Sequence, residues 1–153
     1  MGICSELPDL YLNGTSLVDV TEPVYTGYSN GALRGPSIIG LSPDLNRGVL
    51  WAGGSSFSHI IERCTQYDRF HFIFASEWGY EDQLDRAVAI SIMQSLWDSV
   101  ESDTFLHLRE EGYLDEVEPY ELMTLFSIGD LQISNISSAR MMRTANILSL
   151  IHI

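Results

Sequence analysis

Val24-Tyr25-Thr26-Gly27-Tyr28-Ser29-Asn30-Gly31-Ala32-Leu33-Arg34-Gly35-Pro36 is the stretch whose reading decides the fold. Val24-Tyr25-Thr26 is a short β-prone run after Pro23, and Asn30 to Leu41 reads as a helix stopped by Ser42-Pro43. Between them stands Gly27-Tyr28-Ser29-Asn30-Gly31, a G-x-S-x-G pentapeptide. On a sharp strand-to-helix turn a serine projects its hydroxyl above the sheet. Side chains two residues to either side would collide with the neighbouring strand and helix, which accounts for Gly27 and Gly31. The same turn aims the backbone N–H of Asn30, at the new helix's N-terminus, toward a developing oxyanion. Ser29 is thus a candidate nucleophile. The competing explanation is a glycine-rich turn that merely contains a serine, and the pentapeptide alone does not separate the two.

Outward from this stretch the alternation of strands and helices continues, the pattern of a parallel sheet covered on both faces. Gly48 to Ala52 is a second apolar strand broken by Gly53-Gly54, and Phe57 to Cys64 reads as a short helix. A long amphipathic helix is expected from Glu81 to Val100. Leu84, Val88, Ile92, Leu96 and Val100 recur every four residues, and Ala87, Ile90, Met93 and Trp97 widen the stripe, which reads as core packing. Leu122 to Ile128 is a continuous apolar run, expected to be a strand buried on both faces, and ends at Gly129-Asp130. Asn135 is a candidate N-cap for a helix from Ile136 to Ala145.

The chain of 153 residues suits one domain with a real core, and its apolar and charged fractions are those of a globular protein. A net charge of −13 argues against nucleic acid, which needs a basic face. The acids cluster in Glu110-Glu111 and Asp115-Glu116-Val117-Glu118, which read as a solvated loop. No apolar stretch is long enough for a transmembrane helix. Met1 to Glu6 has neither the signature of a signal peptide nor that of a myristoylation site. These features leave the localisation and the oligomeric state open. Cys4 and Cys64 stand far apart, and no histidine makes a metal-ligand spacing with another ligand type, so neither a metal nor a cofactor is expected.

In an open α/β sheet, functional groups collect beyond the carboxyl ends of the strands. Asp130 falls there, as Ser29 does, although an aspartate after a strand is also a common turn or cap residue. Ser29, Asp130 and their surroundings carry a family resemblance. The run Gly27 to Pro36, then Leu41-Ser42-Pro43-Asp44 and Arg47-Gly48-Val49-Leu50 through Gly53-Gly54, resembles the elbow region of certain bacterial α/β-hydrolases. Leu96-Trp97-Asp98 and Gly129-Asp130-Leu131-Gln132-Ile133 with Asn135 extend it, so that it covers about residues 22 to 146. The resemblance implies a partial α/β-hydrolase fold, a mostly parallel sheet with helices on both faces. It makes Ser29 the nucleophile, Asp130 the triad acid, the Asn30 amide one oxyanion donor, and Gly27 and Gly31 the elbow glycines. It also implies that the family tolerates Gly35-Pro36 inside the helix.

Two parts of such a site are not evident. Only 28 residues precede Ser29, too few for the strands and loop that give the second oxyanion donor. His152 is the only histidine after Asp130, whereas His59, His71 and His107 lie between Ser29 and Asp130, the wrong order for a triad. The expectation is therefore a single domain over 1–153, a fragment of a longer gene, with 53–119 as a candidate cap insertion. The first half of that insertion, from Phe57 to Tyr80, is strongly aromatic and reads either as an apolar acyl or aryl pocket or as ordinary packing. The leading expectation is a serine hydrolase that cleaves an apolar ester or amide through an acyl-enzyme on Ser29, inactive or impaired as this isolated chain, with the longer parent as the active species. The alternatives are a non-catalytic α/β domain that keeps the fold for binding, and a flavodoxin-like binding protein with a chance G-x-S-x-G.

Overall fold

A computed structural model describes residues 11–13, 15–16, 22–109, 119–147 and 151–152. Two short strands, β1 (Tyr11–Leu12) and β2 (Thr15–Ser16), pair antiparallel as a separate ribbon. The main sheet starts with β3 (Val24–Tyr28), which feeds α1 (Asn30–Leu41) and then β4 (Arg47–Trp51). Next come α2 (Phe57–Ile61), α3 (Tyr67–Phe72), α4 (Gln83–Trp97) and α5 (Ser102–Leu106). The chain then returns to the sheet as β5 (Glu121–Phe126), crosses in α6 (Asn135–Thr144) and ends in β6 (Ile151–His152). The order in the sheet is β3-β4-β5-β6, every pair parallel. Parallel neighbours need crossovers, and each connection accordingly carries a helix. The α/β class expected from the alternation is the fold observed.

Strand alternation sets what α1 meets. Tyr25, Gly27, Gly48 and Leu50 turn toward α1, whose backbone comes close to Tyr25, Gly27 and Leu50 and whose Ile39 side chain covers Gly48. A Cβ added at Gly35 would lie 2.5 Å from Leu50 Cδ2 and 2.7 Å from Tyr25 Cε1. This contact gives Gly35-Pro36 a physical role. Gly35 permits the close approach, and the fully buried Pro36 adds apolar area that offsets its missing helix hydrogen bond. Ala32, Ile39, Leu50, Leu106, Met141 and Ala145 form the core on this side, so α1, α5 and α6 share it with the sheet. Each large apolar side chain buried there contributes about 1.5–3 kcal/mol. On the opposite side of the strands, Val24, Tyr28, Trp51 and Met123 are exposed. The apolar run 122–128 is therefore not buried on both faces throughout. Thr124 and Leu125 are buried, Met123 is open, and Ile128 lies past the strand in solvent.

Between β4 and β5 the chain builds a second, smaller core from Ile61, Phe74 and Ile90, with Phe57, Tyr67, Phe70, Met93 and Trp97 packed around it. Phe57 and Trp97 meet edge to face at 5.9 Å, as do Phe74 and Trp78 at 5.1 Å. A π-turn over Ile73–Glu77, with Trp78 N donating to Ile73 O, ends the aromatic helix. The Asp82 carboxylate caps α4 by accepting from the Leu84 and Asp85 amides.

The four-residue stripe of α4 is not core, contrary to the expectation. Leu84, Val88, Ile92, Leu96 and Val100 are all exposed, and the helix packs through Ile90, Met93 and Trp97 instead. A stripe that advances every four residues drifts by about 40° per step around a 3.6-residue helix, so it cannot keep one side turned inward. The helices on the covered face of the sheet are α1, α5 and α6, and α4 packs on α2 within the satellite core. Asn135 also differs from its expected role as an N-cap. Ser134 precedes the helix, and the Asn135 amide group instead ties the loop after β5, accepting from Gly129 N and donating to Ser127 O. The acidic runs at 110–118 and residues Met1 to Glu6 lie outside the described residues.

Candidate functional site

Ser29 stands between the last residue of β3 and the first of α1, with φ 50° and ψ −113°. A positive φ is rare for a residue with a Cβ and costs free energy wherever it persists. Backbone hydrogen bonds on both sides hold the conformation. Ser29 N donates to Trp51 O at 2.8 Å, and Leu33 N donates to Ser29 O at 2.9 Å. The turn is so tight that a Cβ on Gly27 would lie 2.5 Å from Gly31 O and 2.6 Å from Gly31 C. Gly31 itself is less constrained, since an added Cβ would meet only Tyr25 Oη at 3.8 Å. The two glycines expected to serve one purpose thus differ. Gly27 makes room for the helix backbone, and Gly31 supplies the carbonyl that comes close. The Tyr25 hydroxyl donates to that carbonyl at 2.7 Å and pins the turn to the strand.

Ser29 is half-buried, and Asn30, the first residue of the helix, is exposed. Amides in the first helical turn have no intrahelical acceptor and carry the positive end of the helix dipole. The turn therefore combines a reachable hydroxyl with N–H groups beside it.

Asp130 follows β5, two strands from β3, so Ser29 and Asp130 lie on the same carboxyl edge of the sheet. Strand axes two places apart are about 10 Å from each other. The Asp130 carboxylate accepts from Gln132 N at 2.8 Å and Ile133 N at 3.0 Å through Oδ1, which stabilises its own loop. It thus acts as a turn residue, whatever its second oxygen does. His152 ends β6, where it is in register with Phe126 of β5. His59, His71 and His107 stand on or beside the helices of the 53–119 insertion.

The loop after β4 lies beside the Ser29 turn and is built with care. Ala52 and Ser56 both have positive φ, at 51° and 63°. Ser138 Oγ donates to Gly53 O at 2.7 Å and Ser137 Oγ to Ser55 O at 2.5 Å, so α6 holds the loop in place. Buried Glu101 accepts from the amides of Ser56 and Phe57, each at 2.6 Å. Nothing in the local sequence marks Glu101, whose partners are more than 40 residues away. Tyr25 was legible only as a strand residue. A shallow depression, with room for little more than a water molecule, opens among Leu33, Arg34, Ser56, Phe57, Glu101 and Ser102, one turn of α1 beyond Ser29 and not on it. Of the aromatic residues from Phe57 to Tyr80, Phe57 lines this depression. Tyr67, Phe70 and Phe74 pack in the satellite core, and Phe72, Trp78 and Tyr80 are exposed, so most of them do not form a pocket.

Among the described residues no three His, Cys, Asp or Glu side chains stand together as metal ligands would. No described helix is long and apolar enough to cross a membrane. No family model matches the chain, and comparison with curated proteins finds no match. What fold and site define is an α/β protein with a strained serine at a strand-to-helix turn on the carboxyl edge of a parallel sheet.

Proposed function

We propose that this chain carries the core of a serine hydrolase of the α/β-hydrolase type, which cleaves a carboxylic ester or amide through an acyl-enzyme on Ser29. The observation behind the proposal is the backbone of Ser29, held at φ 50° between a parallel strand and a helix. A nucleophile elbow has this arrangement because it lifts the hydroxyl clear of the sheet and leaves helix N-terminal amides beside the reacting carbonyl. In the proposed reaction Ser29 Oγ loses its proton to a base and attacks the carbonyl carbon. The oxyanion forms against the Asn30 amide, and the leaving group departs with the proton to give the acyl-enzyme, which water hydrolyses. Asp130 is the proposed triad acid, since it follows Ser29 in the chain and shares its edge of the sheet. The candidate base is His152, next in order. The segment 53–119, with its own small core, is the proposed cap.

The second reading is a non-catalytic α/β binding domain. It is favoured by the Asp130 carboxylate's engagement with its own loop and by a depression that does not include Ser29.

A fluorophosphonate probe separates the two. The hydrolase labels at Ser29, and Ser29→Ala removes the label. Asp130→Asn keeps the Oδ1 acceptor and hence the loop, but loses the charge. It slows labelling by about 10²-fold or more if Asp130 orients the base, and leaves the rate unchanged if Asp130 only shapes its loop. On the full product of the gene, a folded protein that takes no label, or a label that survives Ser29→Ala, refutes the hydrolase.

A further inference from the structure

We propose that the shallow depression beside α1 is a site for one ordered water molecule, which joins the hydroxyls of Ser55 and Ser56 to the carboxylate of Glu101. Ser55, Ser56, Glu101 and Ser102 all line it, and all four are buried. Ser55 Oγ and Ser56 Oγ find no hydrogen-bond partner among the described residues. Buried polar groups are as a rule paired, so two unpaired hydroxyls on consecutive residues call for a partner of their own.

Size selects that partner. The space enclosed is about 10 Å3, close to what one water molecule needs and too little for anything larger. Valence fits as well. Glu101 Oε2 accepts from Ser56 N and Oε1 from Phe57 N, each at 2.6 Å, which leaves lone pairs free on both oxygens. A water molecule that accepts from both serine hydroxyls and donates to the carboxylate makes about three hydrogen bonds, the usual number for a buried water.

Charge points the same way. Arg34 lines the same depression, with its guanidinium 5.4 Å from the Phe57 ring centroid and donating to Val100 O at 3.3 Å. The guanidinium disfavours a cation there, and the Glu101 carboxylate disfavours an anion. The favoured occupant is therefore a small neutral molecule that both donates and accepts.

The water completes a clasp around the loop after β4. Ser138 Oγ and Ser137 Oγ hold the carbonyls of Gly53 and Ser55 from α6, and Glu101 holds the amides of Ser56 and Phe57 from just before α5. The loop backbone is thereby fixed from two sides, and the water extends the Glu101 contact to the side chains of Ser55 and Ser56. The site stands apart from Ser29 and does not depend on the reaction proposed there.

A high-resolution crystal structure of the whole chain tests the proposal. The expected result is one water oxygen within hydrogen-bond distance of Ser55 Oγ, Ser56 Oγ and the Glu101 carboxylate. Urea unfolding gives the solution counterpart, because the two cases differ in sign. With the water bound, Ser55→Ala and Ser56→Ala each lose a hydrogen bond and lower the folded-to-unfolded ratio about 5-fold. If no water binds, each substitution removes only an unpaired buried hydroxyl, and the ratio rises instead. Alanine keeps the Cβ, so the positive φ of Ser56 costs the same in the variant and the parent. A ratio that is unchanged or higher in either variant overturns the proposal. So does a crystal structure in which the depression is dry or the two hydroxyls turn to protein acceptors. A peak that becomes anomalous when rubidium replaces sodium makes the occupant a cation, and that also overturns it.

Discussion

Replacing Ser29 by glycine should make the protein more stable while removing its proposed nucleophile. Ser29 is held at φ 50°, ψ −113°, a conformation that costs a residue with a Cβ about 1–3 kcal/mol. Glycine adopts it without strain but loses more chain entropy on folding, about 0.5–1 kcal/mol. Both hydrogen bonds of the turn, Ser29 N to Trp51 O and Leu33 N to Ser29 O, are made by the backbone and survive the change. The difference is a net gain of about 1 kcal/mol, which for a chain of this length raises the melting temperature by about 2–4 °C. Ser29→Ala keeps the Cβ and its strain and should stay within about 0.5 kcal/mol of the parent. Urea unfolding followed by circular dichroism at one low protein concentration measures both, with the slope m unchanged. If Ser29→Gly is instead less stable than the parent by about 0.5–1 kcal/mol, only the ordinary glycine penalty is present. The serine is then not strained, and the backbone argument for a nucleophile turn fails.

The two elbow glycines should respond in opposite directions. Gly27→Ala drives a Cβ to within 2.5 Å of the Gly31 carbonyl, a backbone atom that cannot step aside, and should cost about 3 kcal/mol or more in thermal or urea unfolding. Gly31→Ala meets only ordinary contact inside a helix and should stabilise by about 0.5–1 kcal/mol. Equal losses at both would show that the glycines are interchangeable spacers. Glu101→Ala removes the acceptor for two amides of the loop after β4 and should destabilise by about 2–4 kcal/mol, with faster hydrogen exchange at Ser56 and Phe57. Unchanged exchange there would mean that the carboxylate does not hold the loop.

Local chemistry made part of this protein legible. Pro23 and the β-prone run after it announced β3, Ser42-Pro43 stopped α1 at Leu41, and the apolar run broken by Gly53-Gly54 marked β4. These features act over a few residues, where φ restriction, missing donors and β-branched or aromatic side chains decide the outcome. The pentapeptide likewise located the turn at Ser29, because a strand cannot enter a helix so abruptly without a glycine where the backbones approach.

Tertiary structure decided which side of each element is used. The periodicity of α4 showed that the helix is apolar, but not that Ile90, Met93 and Trp97 would face a partner while Leu84, Val88, Ile92 and Leu96 would not. Hydropathy records what a residue would gain by burial, whereas only the neighbours determine whether the burial happens. The same holds for Asp130 and Asn135, whose side chains had several local partners available and took those that the loop after β5 presents. It holds most plainly for Glu101. Its partners Ser56 and Phe57 are set by the packing of α5 against α1, where Ser102 Oγ donates to Leu33 O at 2.5 Å, and no sequence-local rule reaches that far.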